Sequence, residues 1–252
     1  AAEFLGVFRV RKFSAIAVDP ATMAEIDGLE DLLDSGVLGT PTLLREPGEV
    51  STATSIQEAS DLAGFQVRAP SRLEGELGLS GIKVSRGPAM AVTVDGPTAE
   101  AVAAAIGAGE IDLPDEPLDF QVDFGTMVVQ RYQSDFSWLE VHQMPAPEVL
   151  LPEGLDTVSL GAAYLRLLGM SEADALRLAR SVDWTSTLVL PIPSDVATYR
   201  EIEIDGAPGL VVETRFERGQ RAGAIIWERD GFVYAVTMRA VSEADWIYIA
   251  DS

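Results

Sequence analysis

Two Asp-Gly dipeptides in the last quarter of the chain restrict the fold more than any other feature. Asp205-Gly206 divides "YREIEIDGAPGLVVETRF", and Asp230-Gly231 divides "AIIWERDGFVYAVTM". An Asp-Gly pair between two runs of β-forming residues is a strong signal for a two-residue hairpin turn, because both central positions of that turn need positive φ. The sequence therefore predicts two antiparallel hairpins in this region.

Further segments of the chain predict a mixture of strands and helices. Strand patterns occur in the opening segment "FRVRKFSAIAVDP", in "FQVDFGTMVVQRYQ" and in "SWLEVHQM". Helical periodicity occurs in "ATMAEIDGLEDLLDSGVLG", "TAEAVAAAIGAG", "SLGAAYLRLLG" and "SEADALRLARSV", the last two joined at Gly169-Met170 as a helical hairpin. Ser55 and Glu58 have capping-box spacing, and Gly64 is expected to end the helix that they begin.

Four further segments carry local predictions. The segment 40–55, rich in Pro, Gly and Thr, predicts a flexible linker or a domain boundary. Phe65-Gln66-Val67 predicts the start of a strand, and "GIKVSRGPAMAVTVDG" predicts two short strands that turn at Arg86-Gly87-Pro88. The glycines of "GELGLSG" (Gly75 to Gly81) lack the dinucleotide-binding order and predict turns.

These elements together predict an α+β protein, with antiparallel sheets built from hairpins and helices packed on one face. One arrangement within that class is two related halves, an N-terminal α+β half at 1–120 and a C-terminal α+β half at 121–252. "SEADALRLARS" and "SEADWIYIADS" are similar over eleven residues, which is what a duplication would produce. Ser-x-x-Asp is also a generic helix start, so the similarity has a simpler explanation too.

The charge of the chain excludes some classes of partner. Asp and Glu number 40 against 18 Lys and Arg, a formal net charge of -22, which repels nucleic acid and anionic membrane surfaces. There is no cysteine, and therefore neither a disulfide nor a thiolate metal site. The basic residues Arg9, Arg11 and Lys12 would suit a chain leaving a membrane, or equally an exposed strand face.

No residue stands out as catalytic, cofactor-binding or metal-ligating. The single histidine, His142, has no nucleophile context and is expected to be a strand residue with a hydrogen-bond partner. The acidic residues Asp112, Asp115, Glu116 and Asp119 lack the order of an EF-hand loop and favour a solvated loop over a calcium site. The chain also lacks a P-loop motif. The sequence therefore favours a protein that is not an enzyme and needs no cofactor.

The four tryptophans Trp138, Trp184, Trp227 and Trp246 could line a ligand groove, but core positions are favoured. Trp227 and Trp246 are expected to pack a closing helix, which starts at Ser242, onto its sheet.

The end of the chain resembles a family of unknown function found on the outer side of bacterial anti-sigma-factor-like membrane proteins. In that family a tryptophan strand, a glycine turn, a tyrosine strand and a short final helix follow one another. The corresponding residues here are Trp227, Gly231, Tyr234, Ile249, Ala250 and Ser252. "LAGFQVRAPSRLEG" (Leu62 to Gly75) is similar to another recurrent phrase of the family, which usually has a second proline where this chain has Glu74.

The resemblance implies a non-catalytic sensor or binding domain of a membrane-anchored regulator. It implies an extracytoplasmic location, with an anchor in a segment upstream of residue 1, and an unknown protein or a small apolar ligand as partner. The alternative is a periplasmic-type carrier that holds an apolar ligand in a curved sheet, and a large apolar pocket lined by strand residues would favour it. A hydrolase would instead need a cleft where acidic residues converge.

Overall fold

The computed structural model describes residues 4–28, 36–71, 73, 77–135, 137–152, 154–195, 197–204, 206–215, 221–239 and 250. These residues contain fifteen strands and five helices. The strands are β1 (Phe4–Arg9), β2 (Lys12–Val18), β3 (Thr42–Arg45), β4 (Ser51–Ala53), β5 (Gly78–Arg86), β6 (Ala89–Val94), β7 (Leu118–Asp123), β8 (Thr126–Gln133), β9 (Trp138–Pro145), β10 (Glu148–Pro152), β11 (Thr187–Pro193), β12 (Ala197–Ile204), β13 (Ala207–Arg215), β14 (Arg221–Arg229) and β15 (Phe232–Arg239). The helices are α1 (Pro20–Gly28), α2 (Ile56–Ala63), α3 (Gly96–Ala105), α4 (Thr157–Leu167) and α5 (Glu172–Ala179).

An eight-stranded antiparallel sheet forms the largest layer, in the order β12-β13-β14-β15-β9-β8-β5-β4. Both Asp-Gly hairpins lie in it, as the sequence predicts. In the second hairpin Arg229 pairs with Phe232, and the two turn residues, Asp230 and Gly231, have φ values of 54° and 83°. Positive φ at both positions matches the twist of the flanking strands, which explains why Asp-Gly specifies this turn.

A five-stranded antiparallel sheet has the order β1-β10-β7-β6-β3. Its two faces differ in chemistry because side chains alternate along each strand. One face carries ion pairs, Arg9 with Glu148 and Arg45 with Asp123. The opposite face is apolar and lies against α4.

A two-stranded parallel ribbon of β2 and β11 lies between the large sheet and the helices. One side of the ribbon packs on the large sheet, where Phe13 meets Leu210 and Val233 in a buried cluster. The other side packs on α1, α4 and α5, where Val18 meets Leu165 and neighbouring alanines. The antiparallel prediction therefore holds for the two larger sheets, and this ribbon is the exception.

An extended segment, residues 64–71, covers part of the large sheet. Two glutamines that are 0% and 1% exposed, Gln130 and Gln143, hold it there. Gln143 accepts from the Arg68 N–H at 2.9 Å and donates to the Gln66 carbonyl at 3.0 Å, and Gln130 donates to the Arg68 carbonyl at 2.7 Å. Tyr132 donates to Gln130 at 2.8 Å. The side-chain amides thus supply the hydrogen bonds that a neighbouring strand would supply.

Several helix predictions are confirmed. Ser55 caps α2 by accepting from the Glu58 N–H at 3.1 Å, and Gly64 ends it with φ 78°. The helical hairpin of α4 and α5 turns at Gly169, which has φ 89°. Of the helix predicted over 21–39, the structure shows α1 up to Gly28, and residues 29–35 of the prediction lie outside the described residues.

Four local predictions are wrong. The segment 40–55 is no linker, since it contributes β3 to the five-stranded sheet and β4 to the eight-stranded sheet. The strands on either side of Arg86-Gly87-Pro88 enter different sheets and do not pair with each other. Phe65-Gln66-Val67 forms no strand, because glutamine side chains take the place of a strand partner. Gly78 and Gly81 lie within β5.

Two related halves are not confirmed. Each of the larger sheets combines strands from both sides of residue 120, as the pairing of β5 with β8 and of β1 with β10 illustrates. The closing helix predicted from Ser242 lies outside the described residues, apart from Ala250, which packs against the cluster around Trp227 and Tyr234.

Candidate functional site

A cavity of about 430 Å³ lies between the apolar face of the five-stranded sheet, α4 and β11. We call it the apolar cavity. Its lining residues are Phe8, Phe120, Val149, Leu151, Leu155, Thr157, Leu160, Gly161, Tyr164, Trp184, Thr187, Leu188 and Val189.

The strand alternation explains why the sheet wall of this cavity is apolar. Phe8 on β1 lies opposite Val149 on β10, and both line the cavity. The next pair along, Arg9 and Glu148, belongs to the other face, where the two side chains form an ion pair. One sheet therefore presents charges to solvent and an apolar floor to α4.

Tyr164 and Trp184 form the aromatic wall of the cavity, and this wall is apolar because their polar atoms bond to backbone carbonyls. The Tyr164 hydroxyl donates to the Val189 carbonyl at 3.0 Å, and the Trp184 indole N–H donates to the Ala179 carbonyl at 2.9 Å. The two rings meet edge to face, with centroids 6.4 Å apart. Each ring is thus fixed by its polar end, while its carbon face is left to the cavity.

Gly161 allows Trp184 to lie directly against the backbone of α4. A Cβ atom at position 161 would overlap the indole ring of Trp184. A larger residue would therefore fit only if the ring moved. Glycine in the middle of a helix costs about 1 kcal/mol relative to alanine. The close approach of Trp184 explains why glycine occurs here despite that cost.

Few side chains that could take part in proton transfer line this cavity. Tyr164 is the only titratable residue among those that line it, and burial raises the pKa of its hydroxyl. A neutral phenol that already donates its proton to a carbonyl is unsuited to proton transfer at neutral pH. The hydroxyls of Thr157 and Thr187 are the other polar side-chain groups of the lining, whose remaining side chains are apolar or aromatic and suited to contact with an apolar molecule.

A more polar cleft of about 660 Å³ lies between the two larger sheets and the end of α2. Its central charges already satisfy each other, because the Arg45 guanidinium bonds to both Asp123 and the Gly87 carbonyl. The Arg45 bond lowers the pKa of the Asp123 carboxyl. This ion pair joins strands of the five-stranded sheet, and the carboxylates of Glu49, Asp61 and Glu148 also line the cleft.

His142 lies on β9, a strand as predicted, but the hydrogen-bond partner expected for it is missing at one nitrogen. Its Nε2 atom is buried without a hydrogen bond and lies 3.6 Å from a carboxylate oxygen of Glu140. Burial lowers the pKa of the imidazole, and the charge of Glu140 opposes that shift in part. The net shift favours the neutral form of the imidazole.

The predicted tryptophans are not brought together. Trp227 is buried in the large sheet and stacks on Tyr234 with ring centroids 5.3 Å apart, so its core assignment is confirmed. Trp184 lines the apolar cavity, and Trp138 lies beside Arg131 on the large sheet. Trp246 lies outside the described residues.

The acidic residues at 112–119 also do not converge. Asp119 accepts a hydrogen bond from the Thr93 hydroxyl at 2.6 Å across the five-stranded sheet. In the described part of the chain, no group of three or more His, Asp or Glu side chains is placed to hold a metal ion.

Sequence patterns did not identify the cavity, because its walls come from β1, β7, β10, α4 and β11, which are far apart in the chain. One local signal was available. An isolated glycine within the apolar helix "SLGAAYLRLLG" indicates a close approach by another group, and Gly161 is that glycine.

No helix among the described residues is long and apolar enough to cross a bilayer. No protein-family model, no curated protein and no solved structure matches this chain.

Proposed function

We propose that this protein is a non-catalytic binding domain that takes a small apolar molecule in the apolar cavity. The observation that carries the proposal is the cavity itself, an open space of about 430 Å³ whose walls are carbon and whose aromatic polar groups face away. Ligand pockets typically occupy about 300 to 1,000 Å³ and are lined mainly by apolar and aromatic side chains.

The size of the space argues for a ligand rather than a packing defect. Protein interiors pack as densely as organic crystals, and voids larger than a water molecule are few. An apolar wall exposed to water is unfavourable by about 25 cal/mol per Å². Leu188 on β11 is 38% exposed at this wall, and a bound apolar molecule would remove such surface from water.

The position of the cavity suits a sensor. A ligand there would touch the five-stranded sheet and α4 together, and α4 belongs to the helical layer around Leu165 that packs on the β2 and β11 ribbon. Occupancy would therefore stabilise the contact between two layers of the fold. A carrier would use the same cavity. A sensor and a carrier differ in which partner recognises the ligand-bound protein.

The test uses N-phenyl-1-naphthylamine, a neutral apolar dye whose fluorescence rises in an apolar environment. The variant Val149→Phe places a larger side chain in the cavity, and Leu150→Phe is its matched control because Leu150 points to the opposite face of the same strand. We expect the wild type and Leu150→Phe to bind the dye with similar Kd, and Val149→Phe to bind at least about tenfold more weakly.

Thermal unfolding of both variants checks that each is folded. Saturable binding that Val149→Phe abolishes and Leu150→Phe retains supports the apolar cavity as the site. If the dye does not bind, or binds all three proteins equally, the proposal is wrong.

We also propose that this domain works outside the cytoplasmic membrane as part of an anchored regulator of the anti-sigma-factor type. Its support is the resemblance of the sequence around Trp227, Gly231 and Tyr234 to that family. Protease treatment of intact cells or spheroplasts that make the full-length gene product with a C-terminal tag tests the location. Loss of the tag with survival of a membrane-bound stub supports it, whereas a protected, soluble product rejects it.

A further inference from the structure

The eight-stranded sheet has a second groove, of about 480 Å³, on the face opposite to the extended segment 64–71. We call it the sheet groove. The strand register places Thr52, Lys83, Val129 and His142 in one row across β4, β5, β8 and β9. Arg131 and Glu140 face each other in the adjacent row. Side chains on one row of a sheet share a face, so these residues line the same groove.

The β2 and β11 ribbon covers the continuation of this face but leaves the groove open. The row through His142 runs on through Ala235 and Ile226 to Leu210, which packs against Phe13 of the ribbon. Beyond His142 the ribbon no longer covers the sheet, and Lys83 and Thr52 are exposed. The groove is therefore the uncovered part of an otherwise packed face.

The charge of the groove is opposite to that of the whole protein. Its lining residues contain the cations Lys83 and Arg131 against one carboxylate, Glu140, whereas the chain has 40 acidic and 18 basic residues. Arg131 lies 3.5 Å from Glu140 and 6.0 Å from the centre of the Trp138 ring, which fixes the guanidinium in place. Among the described residues Lys83 makes no ion pair, and its ammonium group is available.

We propose that the sheet groove binds a small organic anion, of the carboxylate class, through Lys83. The apolar Val129 side chain between Lys83 and His142 provides a floor for the carbon part of that molecule. Thr52 adds a hydroxyl donor at the rim, and Arg131 adds a second positive charge. This site is separate from the apolar cavity, has different ligand chemistry and does not depend on the function proposed above.

The negative electrostatic potential of the protein makes such a site more selective. A net charge of -22 repels free anions from most of the surface, so an anion gains from binding only where local cations outweigh that field. Strands 4.7 to 4.9 Å apart place Lys83 roughly 10 Å from His142 along the row, and a ring the size of benzoate fits over the intervening Val129.

The experiment follows the imidazole of His142 by NMR. His142 is the only histidine, so its ring resonances need no assignment. We would titrate sodium benzoate into the whole protein at constant ionic strength, with neutral benzamide and sodium chloride as controls. The variant Lys83→Gln removes the proposed charge, and Lys12→Gln is the matched control because it removes the only other lysine, which is engaged with Glu201 at 3.8 Å.

We expect a saturable shift of the His142 resonances with benzoate and none with benzamide or chloride. Lys83→Gln should raise the Kd about two- to fivefold, the effect of losing one exposed ion pair, while Lys12→Gln leaves it unchanged. Val149→Phe should also leave it unchanged, which separates this groove from the apolar cavity. A shift that chloride reproduces, that Lys83→Gln retains, or that never saturates would overturn the proposal.

Discussion

The two larger sheets cover their apolar faces in different ways. On the eight-stranded sheet, Gln130 and Gln143 hold an extended segment against the face, and Arg68 of that segment lies 5.9 Å from the centre of the buried Tyr234 ring. On the five-stranded sheet, α4 lies across the face and leaves the apolar cavity between them. A flat segment follows the surface of a sheet closely, whereas a helix touches it along one stripe. We conclude that the first cover contributes stability and the second leaves space for a ligand.

The largest effect that this comparison predicts is on the segment held by the glutamines. Gln143→Leu keeps the volume but leaves the Arg68 N–H and the Gln66 carbonyl without their partners. An unsatisfied buried group costs about 1 to 3 kcal/mol, and these two groups belong to exposed residues and are only part-buried, so we expect the free energy of unfolding to fall by about 2 kcal/mol in urea denaturation. Gln133→Leu, at an exposed position of the same sheet, is the control and should change it little. Equal effects of the two substitutions would contradict the proposed role of the glutamine.

A smaller effect is expected where Trp184 meets α4. Gly161→Ala gains about 1 kcal/mol of helix propensity but forces the indole away, and such overpacking costs about 1 to 3 kcal/mol. We expect a net loss of about 1 kcal/mol in the wild-type background. In the Trp184→Leu background the clash is absent, and the same substitution should stabilise the protein. A double-mutant cycle measures this change of sign, and additive effects would show that the two residues do not press on each other.

The smallest effect concerns the uncovered face of the eight-stranded sheet, where His142 lies near Glu140, Arg131 and Lys83. Burial lowers the pKa of His142 in the folded protein, so the unfolded chain binds a proton more readily. The corresponding stability is present above the unfolded pKa of about 6.5 and is lost as pH falls through the folded pKa, by at most about 1.4 kcal/mol per pH unit.

Urea denaturation at about pH 7.5 and about pH 5.5 measures this loss. The wild type should lose more stability between these values than His142→Gln, in which no group titrates at this position. The opposite order would mean that Glu140 stabilises the imidazolium enough to offset burial, since the carboxylate raises the pKa that burial lowers.

Much of the local structure follows from the sequence. The turns at Gly206 and Gly231, the cap at Ser55 and the turn at Gly169 between α4 and α5 were all predictable, because each depends on residues within a few positions of one another. The α+β class followed from the same patterns. Positive φ and capping hydrogen bonds are local properties that a short stretch of sequence determines.

Predictions for segments that bond to residues far away in the chain were wrong. Residues 65–67 have the composition of a strand, yet the Gln66 carbonyl accepts from the side chain of Gln143, and the nearby Arg68 carbonyl accepts from Gln130, both more than sixty residues away. The Thr-rich segment at 40–55 looked like a linker, but its backbone pairs with β5 and β6. Strand pairing depends on which segments meet in space, and one sequence pattern is compatible with several partners.

The sequence by itself determined where the chain turns, where its helices begin, and that the protein is acidic and lacks thiol chemistry. Only the tertiary structure decided that Phe8, Val149, Tyr164 and Trp184 surround one cavity and that Lys83 shares a groove with His142. Turns and caps are set by backbone geometry over a few residues. A cavity is the space left between layers, and its shape depends on how strands and helices from the whole chain pack together.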